Sequence, residues 1–347
     1  MQMDEIEFAL ERLISDDSDV EYAAHIEFEN PSKTESLTKT INALKINTSI
    51  RILRVSNIVV EEYGTPNCIW MEYLSDVLKT NTTIRELWLG GNNLGKYPSG
   101  VKYLSESLKI NTSIEVEVLD LNDNNLGRCP ETLKYLSDAL KINNSIQRLD
   151  LYNNNLGGSG DPSGVKYLSD ALKENKSLRT LRLHNNNLGS CPEGMKHLLD
   201  ALKVNTSIQA LTLSKNKFGQ YPNPDWVDHF SDALKVNSSI IELDLSTNNF
   251  GKCPELMCSL SNALKINTTI RVLYLHNNRL AECFLAVESL KYGLIANSSI
   301  HNVHLFSNKL ERSVWDFTRN ISERNIHNAR LRSSSLFELL LPILEDT

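Results

Sequence analysis

A single eleven-residue pattern recurs along most of this chain, and a repeat of that kind leaves few folds open to it. Segments Ile84–Gly95, Ile146–Gly157, Leu178–Gly189, Ile208–Gly219 and Ile240–Gly251 all read L-x-x-L-x-L-x-x-N-x-L with conservative exchanges. Further copies start at Ile270 and Ile300, and another ends at Leu126 with two extra residues in Glu115–Val118. A degenerate copy starts at Ile50 and a fainter one falls at Ala23–Asn30. One apolar position of each copy lies at Val55, Leu89, Leu121, Leu151, Leu183, Leu213, Leu245, Leu275 and Leu305, thirty to thirty-four residues apart. The Leu-x-Leu alternation is strand periodicity. Between the strands, segments such as Lys134–Asn143, Lys166–Asn175, Lys196–Asn205 and Asp228–Asn237 repeat apolar residues four apart, at Leu136/Leu140, Leu168/Leu172, Leu198/Leu202 and Phe230/Leu234. That spacing is helical. Each unit therefore predicts one short strand and one helix. No unit of this size buries its own apolar face, so the units must stack and share a core.

The pattern resembles the leucine-rich repeat family, in particular its ribonuclease-inhibitor-like class, over about residues 40–310. The resemblance implies an α/β fold: a right-handed leucine-rich-repeat solenoid, or horseshoe, with a parallel concave sheet and convex helices. It also implies that the side chains of Asn92, Asn124, Asn154, Asn186, Asn216, Asn248, Asn278 and Asn308 bond the backbone of neighbouring turns. Ile58 stands in that place in the copy at Ile50, so an irregular turn is expected there. The expected organisation is an N-terminal cap and atypical first unit over residues 1–46, an array of about nine units over 47–310, and a C-terminal helical cap over 311–347. Asp4–Ile14 reads as an amphipathic capping helix, with docking of a partner as its alternative role. Trp315, Phe317, Ile321, Ile326 and Leu331 read as a terminal packing face, and the apolar Ser333–Leu344 as a helix folded back on the last unit.

A second asparagine column, from Asn47 through Asn81, Asn111, Asn143, Asn175, Asn205, Asn237 and Asn267 to Asn297, closes each helix. Asparagine tolerates the left-handed backbone that ends many helices, and that conformation is expected here. Each of these residues formally matches a glycosylation acceptor, but a helix-to-strand turn explains the column better. Lysines two places earlier, such as Lys79, Lys173, Lys203 and Lys235, are expected to pair with Asp76, Asp170, Asp200 and Asp232 on the solvated helix face.

Cys129, Cys191 and Cys253 recur every 62 residues, and Cys283 falls one unit beyond Cys253. Buried reduced thiols are expected, since no cluster has metal-ligand spacing. No stretch of about 18 apolar residues suggests a membrane span. The formal charge of -7 and pI near 5.7 argue against a general phosphate-backbone binder. The acidic start, Met-Gln-Met-Asp-Glu, lacks the positive charge of an export signal, so an intracellular, cytoplasmic monomer is expected.

No nucleophile elbow, phosphate-binding glycine loop or metal triad appears, so neither catalysis nor a cofactor is expected. Gly157–Gly164 is glycine-rich but lacks the Lys-Ser/Thr ending of a phosphate loop. Function in such an array falls to outward strand positions. Two groups stand out there. Trp88, Asp120, Asp150 and Tyr152, with Arg182 and His184, predict an acidic-aromatic patch. Tyr274, His276, His304 and Phe306 predict an aromatic one near the C-terminal end. Exposed aromatics are typical interface anchors, so the expected function is binding of a partner protein through the concave face. Two alternatives use the same repeat class. One is a GTPase-activating protein similar to the Ran-specific one, with Arg128 and Arg279 as charged loop residues. The other is a substrate-recognition adaptor of a ubiquitin ligase.

Overall fold

The computed structural model describes residues 23–27, 41–56, 60–62, 65–67, 69–110, 116–220 and 225–345, the side chains of 23, 26, 27, 60–62, 65–67, 69 and 332–345 excepted. Asp4–Ile14, Asn111 and Ile58 lie outside the described residues. The chain divides into two compact units, Met1–Ile208 and Gln209–Thr347.

In the first unit, strands β1 (Ala23–Glu27), β2 (Ile52–Ser56), β5 (Glu86–Trp88), β6 (Val118–Asp120), β7 (Arg148–Asp150) and β8 (Thr180–Arg182) lie side by side in chain order, all parallel. Within the faint copy, Ala23–Glu27 is thus a true strand, aligned Ala23 to Ile52. Leu53, Leu87, Leu119, Leu149 and Leu181 stand in register and point inward, fully buried. Helices α1 (Ile69–Thr80), α2 (Pro98–Ile110), α3 (Pro130–Leu140), α4 (Ser163–Glu174) and α5 (Pro192–Val204) follow the strands in turn. Their leucines four apart are buried against the strand leucines. A small antiparallel hairpin, β3 (Val60–Glu62) with β4 (Thr65–Asn67), follows β2 in the copy that lacks the ladder asparagine.

The second unit repeats the plan. Strands β9 (Ala210–Thr212), β10 (Glu242–Asp244), β11 (Val272–Tyr274) and β12 (Asn302–His304) are parallel neighbours. Leu211, Leu243, Leu273 and Val303 align across them. Helices α6 (Val227–Val236), α7 (Pro254–Leu264) and α8 (Phe284–Ala296) alternate with the strands, and α9 (Arg312–Glu345) closes the unit.

The Cys-Pro-Glu triplets have a local explanation. Cys129 and Cys253 are extended or nearly so, as a residue before proline must be, and Pro130 and Pro254 occupy the first helical position. Proline there loses no hydrogen bond and arrives with helical φ.

The first asparagine column forms a continuous ladder inside each unit. Asn154 Nδ2 donates to the Leu121 carbonyl at 2.8 Å, while its Oδ1 accepts from the N–H groups of Asn124 at 3.0 Å and Leu126 at 3.2 Å. Asn248 and Asn278 repeat this in the second unit, where Asn278 Oδ1 accepts from the Asn248 N–H at 2.7 Å and its Nδ2 reaches the Leu245 carbonyl at 3.0 Å. Each amide therefore serves two neighbouring coils and satisfies groups that no water reaches. The glycine after the motif has its own reason: a Cβ on Gly127 would overlap the Asn155 carbonyl, and one on Gly219 the Asn249 carbonyl. Successive coils approach too closely for any side chain there.

The second column departs from the expected conformation. Asn175, Asn205, Asn237 and Asn297 are extended, Asn175 having φ -66° and ψ 132°. The side chain, not a left-handed backbone, makes the turn. Asn175 Oδ1 accepts from the Ser177 and Leu178 N–H groups at 3.1 and 2.8 Å, and Nδ2 donates back to the Leu140 carbonyl at 2.7 Å. Asn81, Asn143, Asn175, Asn205, Asn267 and Asn297 are buried with their amides engaged in this way, which favours the turn reading over the glycosylation one. Left-handed residues instead flank the first column: Asn153 and Asn155 around Asn154, Thr247 and Asn249 around Asn248. The lysine pairs form as expected at Lys79–Asp76, Lys173–Asp170, Lys203–Asp200 and Lys235–Asp232, between 2.8 and 3.3 Å. Lys141 turns to Glu174 on the next helix at 3.4 Å.

Helix α9 meets the last coil through polar side chains as well as Val314 and Ile321. Asn325, fully buried, donates to the Asn297 and Ile300 carbonyls at 3.3 and 2.9 Å, and Arg324 reaches the Ile295 and Asn297 carbonyls at 3.0 and 2.6 Å. The backbone of Ser333–Leu344 continues this same helix, not a separate one folded back. Trp315 and Leu331, expected in the packing face, are exposed.

Two outcomes follow from this geometry. Asn154→Ala leaves several buried backbone groups without partners, so urea denaturation should show a loss of about 3 kcal/mol. Thr247 is β-branched at φ 58°, a costly combination. Thr247→Asn, matching Asn153 and Asn185 of other coils, should raise stability by roughly 1 kcal/mol in the same measurement.

Candidate partner-binding face

Residues flanking the inward leucines point outward and form two rows per strand. In the first unit the register places Arg54 beside Trp88, Trp88 beside Asp120, Asp120 beside Asp150 and Asp150 beside Arg182. The Arg54 guanidinium lies 4.6 Å from the centre of the Trp88 ring. The Trp88 indole N–H donates to Glu86 Oε2 at 2.9 Å. In the next row Tyr152 and His184 stack at 4.4 Å with planes 10° apart.

The expected acidic surface is not displayed. Asp120 is 3% exposed and Asp150 0%. Both short side chains sink between taller neighbours, and Asp150 is already engaged. Arg148 Nη2 meets its Oδ2 at 2.6 Å, Arg148 Nε reaches both carboxylate oxygens, and Arg182 Nη1 lies at 3.4 Å. What the first unit offers to solvent beside Trp88 and Tyr152 is therefore the half-exposed guanidiniums of Arg148 and Arg182. Arg148 lies two residues before Asp150 on the same outward face, a signal contained in the strand alternation. Asp120 accepts the Asn122 N–H at 2.8 Å. Burial pushes its carboxyl above the usual carboxylate range and Asp150 adds to the shift, against the opposing pull of that N–H and of Arg148 and Arg182.

In the second unit the four expected rings do come together. Tyr274 and His304 stack at 4.4 Å with planes 6° apart, and His276 and Phe306 stack at 4.1 Å and 11°. The two stacks meet where Tyr274 and His276 lie edge to face at 6.4 Å. Phe306 is 51% exposed. Burial depresses the His276 pKa below its ordinary value, so its ring is neutral at neutral pH. Burial raises that of Tyr274, helped by its hydrogen bond to Glu242. His301 pairs instead with Arg271 at 3.3 Å, away from the rings.

The remaining sequence candidates give no second site. Among the described residues no group of three or more His, Cys, Asp or Glu is placed to hold a metal ion. Cys129, Cys191, Cys253, Cys258 and Cys283 are free thiols, and only Cys191 and Cys253 are buried. Burial lifts the Cys129 and Cys191 thiols above the normal range, the opposite of an activated thiolate. Arg279 pairs with Glu282 at 3.8 Å in an exposed turn. One unexpected feature is α8, whose solvent side shows Phe284, 81% exposed, with Leu285, Tyr292 and Ile295. It lacks the Lys-x-x-x-Asp pattern of helices such as α4, which was the available signal. Among the described residues, no helix is long and apolar enough to cross a membrane.

Comparison with known proteins agrees with this architecture. A sequence profile of the Leucine Rich Repeat family matches residues 145–168 and 177–198. With the parallel strand row and the asparagine ladder, that match supports a leucine-rich repeat fold. No curated protein matches it. Among solved structures, the tropomodulin C-terminal domain of Caenorhabditis elegans is 17% identical with a TM-score of 0.41, over 49% of this chain and 98% of that one. The actin-binding site 2 of leiomodin-1 is 14% identical with a TM-score of 0.30, over 68% and 94%. Likenesses of that size carry no argument about function.

The raised pKa of Asp120 has a direct consequence for stability. A carboxyl with a raised folded-state pKa favours the native state fully below the ordinary value of about 3.9 and loses that contribution as pH rises through the folded value. At neutral pH Asp120 is thus a cost to folding. Asp120→Asn keeps an acceptor for the Asn122 N–H and removes the charge. Its melting temperature should exceed that of the parent at pH 7, the gap closing as pH falls toward 4.

Proposed function

We propose that this chain is an interaction module that binds another protein through its outward strand face. The observation that carries the reading is the double ring stack of Tyr274/His304 and His276/Phe306, with Phe306 half in solvent. Aromatic surface held rigid by neighbours on a regular sheet loses little conformational entropy on binding, which is why such residues anchor interfaces. In the first unit, Trp88 under Arg54, and Tyr152 on His184 beside Arg148 and Arg182, form a second anchor of different charge. Asp150 acts beneath that surface by fixing the guanidiniums rather than by touching the partner. The module needs no cofactor for this role.

Capture of partners from cell lysate checks the reading. The native chain and the double variant Trp88→Ala, Tyr274→Ala should differ, with at least one specific partner lost from the variant at equal folded protein. Identical partner sets would count against binding through this face.

A further inference from the structure

The second unit's face has a step in it. On β11 and β12 the outward positions carry tall rings, Tyr274, His276, His304 and Phe306. On β9 and β10 the same rows carry Thr212, Ser214, Asp244 and Ser246. The rings stack across adjacent strands, so they stand on edge along the sheet. His304 covers one face of Tyr274 and Phe306 one face of His276, both from the β12 side. The opposite face of Tyr274 looks toward β10, where its register partner is Asp244. His276 lies edge to face with Tyr274 and Ser246 is buried, so the recess is confined to the gap between the Tyr274 ring and the Asp244 carboxylate.

Its charge is one-sided. Across strand positions 210–214, 242–246, 272–276 and 302–306 the ionised side chains are Glu242 and Asp244, and there is no lysine or arginine. The cations of this unit nearest the strands lie in the turns that enter and leave them, Arg271 against His301, Arg279 against Glu282, and Lys215, Lys217 and Lys309 in left-handed turn positions. His276 adds no charge at neutral pH. Asp244 spends one oxygen on the Ser246 N–H at 2.9 Å and keeps the other for a partner. A π face and a carboxylate across one gap suit a flat cation, which stacks on the ring and pairs with the acid at once.

Resting on the strand-face reading above, we propose that the second unit recognises an arginine-bearing segment of its partner, the guanidinium lying over β10 between Asp244 and the free face of Tyr274. Arginine fits better than lysine because the planar group uses both walls, whereas a compact ammonium meets one at a time. Glu242, two residues before Asp244 on the same strand, accepts the Tyr274 hydroxyl and so holds that ring beside Asp244.

The test uses the full chain and a short glycine–serine peptide with one central arginine, compared with the same peptide carrying citrulline, a neutral isostere, or lysine. Ring resonances of Tyr274, His304 and Phe306 report binding by NMR. The arginine peptide should shift the Tyr274 signals and bind on the order of tenfold more tightly than the citrulline peptide. Tyr274→Leu keeps the bulk that His304 packs on but removes the π face, and Asp244→Asn removes the charge. Each should weaken the arginine peptide about fivefold while leaving thermal melting unchanged. Equal binding of arginine and citrulline peptides, absence of any ring shift, or undiminished arginine binding by both variants would overturn the proposal. The lysate capture judges the strand face independently. A partner that depends on Tyr274, together with indifferent peptides, would keep that face as the interface and remove arginine as its ligand.

Discussion

A coil that turns from strand to helix inside a stacked array leaves peptide groups facing another coil, where water cannot reach them. An unpaired buried peptide group costs as much as a lost hydrogen bond, and several per coil would cancel the gain from packing the leucines. The asparagine amide resolves this because one short side chain both donates and accepts. Asn154 does so toward the preceding coil, at Leu121 and Asn124, and Asn278 does so toward its own preceding coil, at Leu245 and Asn248. The second column applies the same chemistry at the other end of each helix. Strand spacing, helix placement and the glycine contacts at Gly127 and Gly219 are consequences of coils held this close.

The same requirement explains how the array stops. A last coil exposes carbonyls that would have met the next asparagine. Helix α9 answers them with Asn325 and Arg324, which donate to the Asn297, Ile300 and Ile295 carbonyls. Asn325 thus continues the second column although it comes from a helix interior. The end of the array is closed by matching donors to carbonyls, with apolar cover from Val314 and Ile321.

The outward rows show how side-chain length converts a regular scaffold into distinct surfaces. Asp120 and Asp150 are too short to clear their neighbours; Asp150 becomes an internal counter-ion that aims Arg148 and Arg182, while Asp120 is held by the Asn122 N–H. In the second unit an aspartate in the same row, Asp244, stands between Thr212 and Tyr274 and remains half exposed. Identical residues in equivalent places therefore have opposite roles, set by the strand next door. The first unit presents guanidiniums beside aromatics; the second presents aromatics beside carboxylates.

Much of this protein was legible in the sequence because a repeat reports the same local constraint many times. The strand and helix of each coil, the inward leucines, the first asparagine ladder and the grouping of Tyr274, His276, His304 and Phe306 all follow from spacing alone, since residues two apart on a strand and in register across strands must share a face. Cross-strand relations of charge and height did not follow. Sequence alternation places Asp120 and Asp150 outward, yet burial depends on the neighbours at Trp88 and Arg182, which lie some thirty residues away in the chain. The second asparagine column was found but its backbone was misread, because a side-chain turn and a left-handed turn favour the same residue. Continuity of α9 through Ser333–Leu344 and the exposed apolar side of α8 also belong to the tertiary structure. Local spacing fixes which way a side chain leaves the backbone; only its packed neighbours decide whether it reaches water.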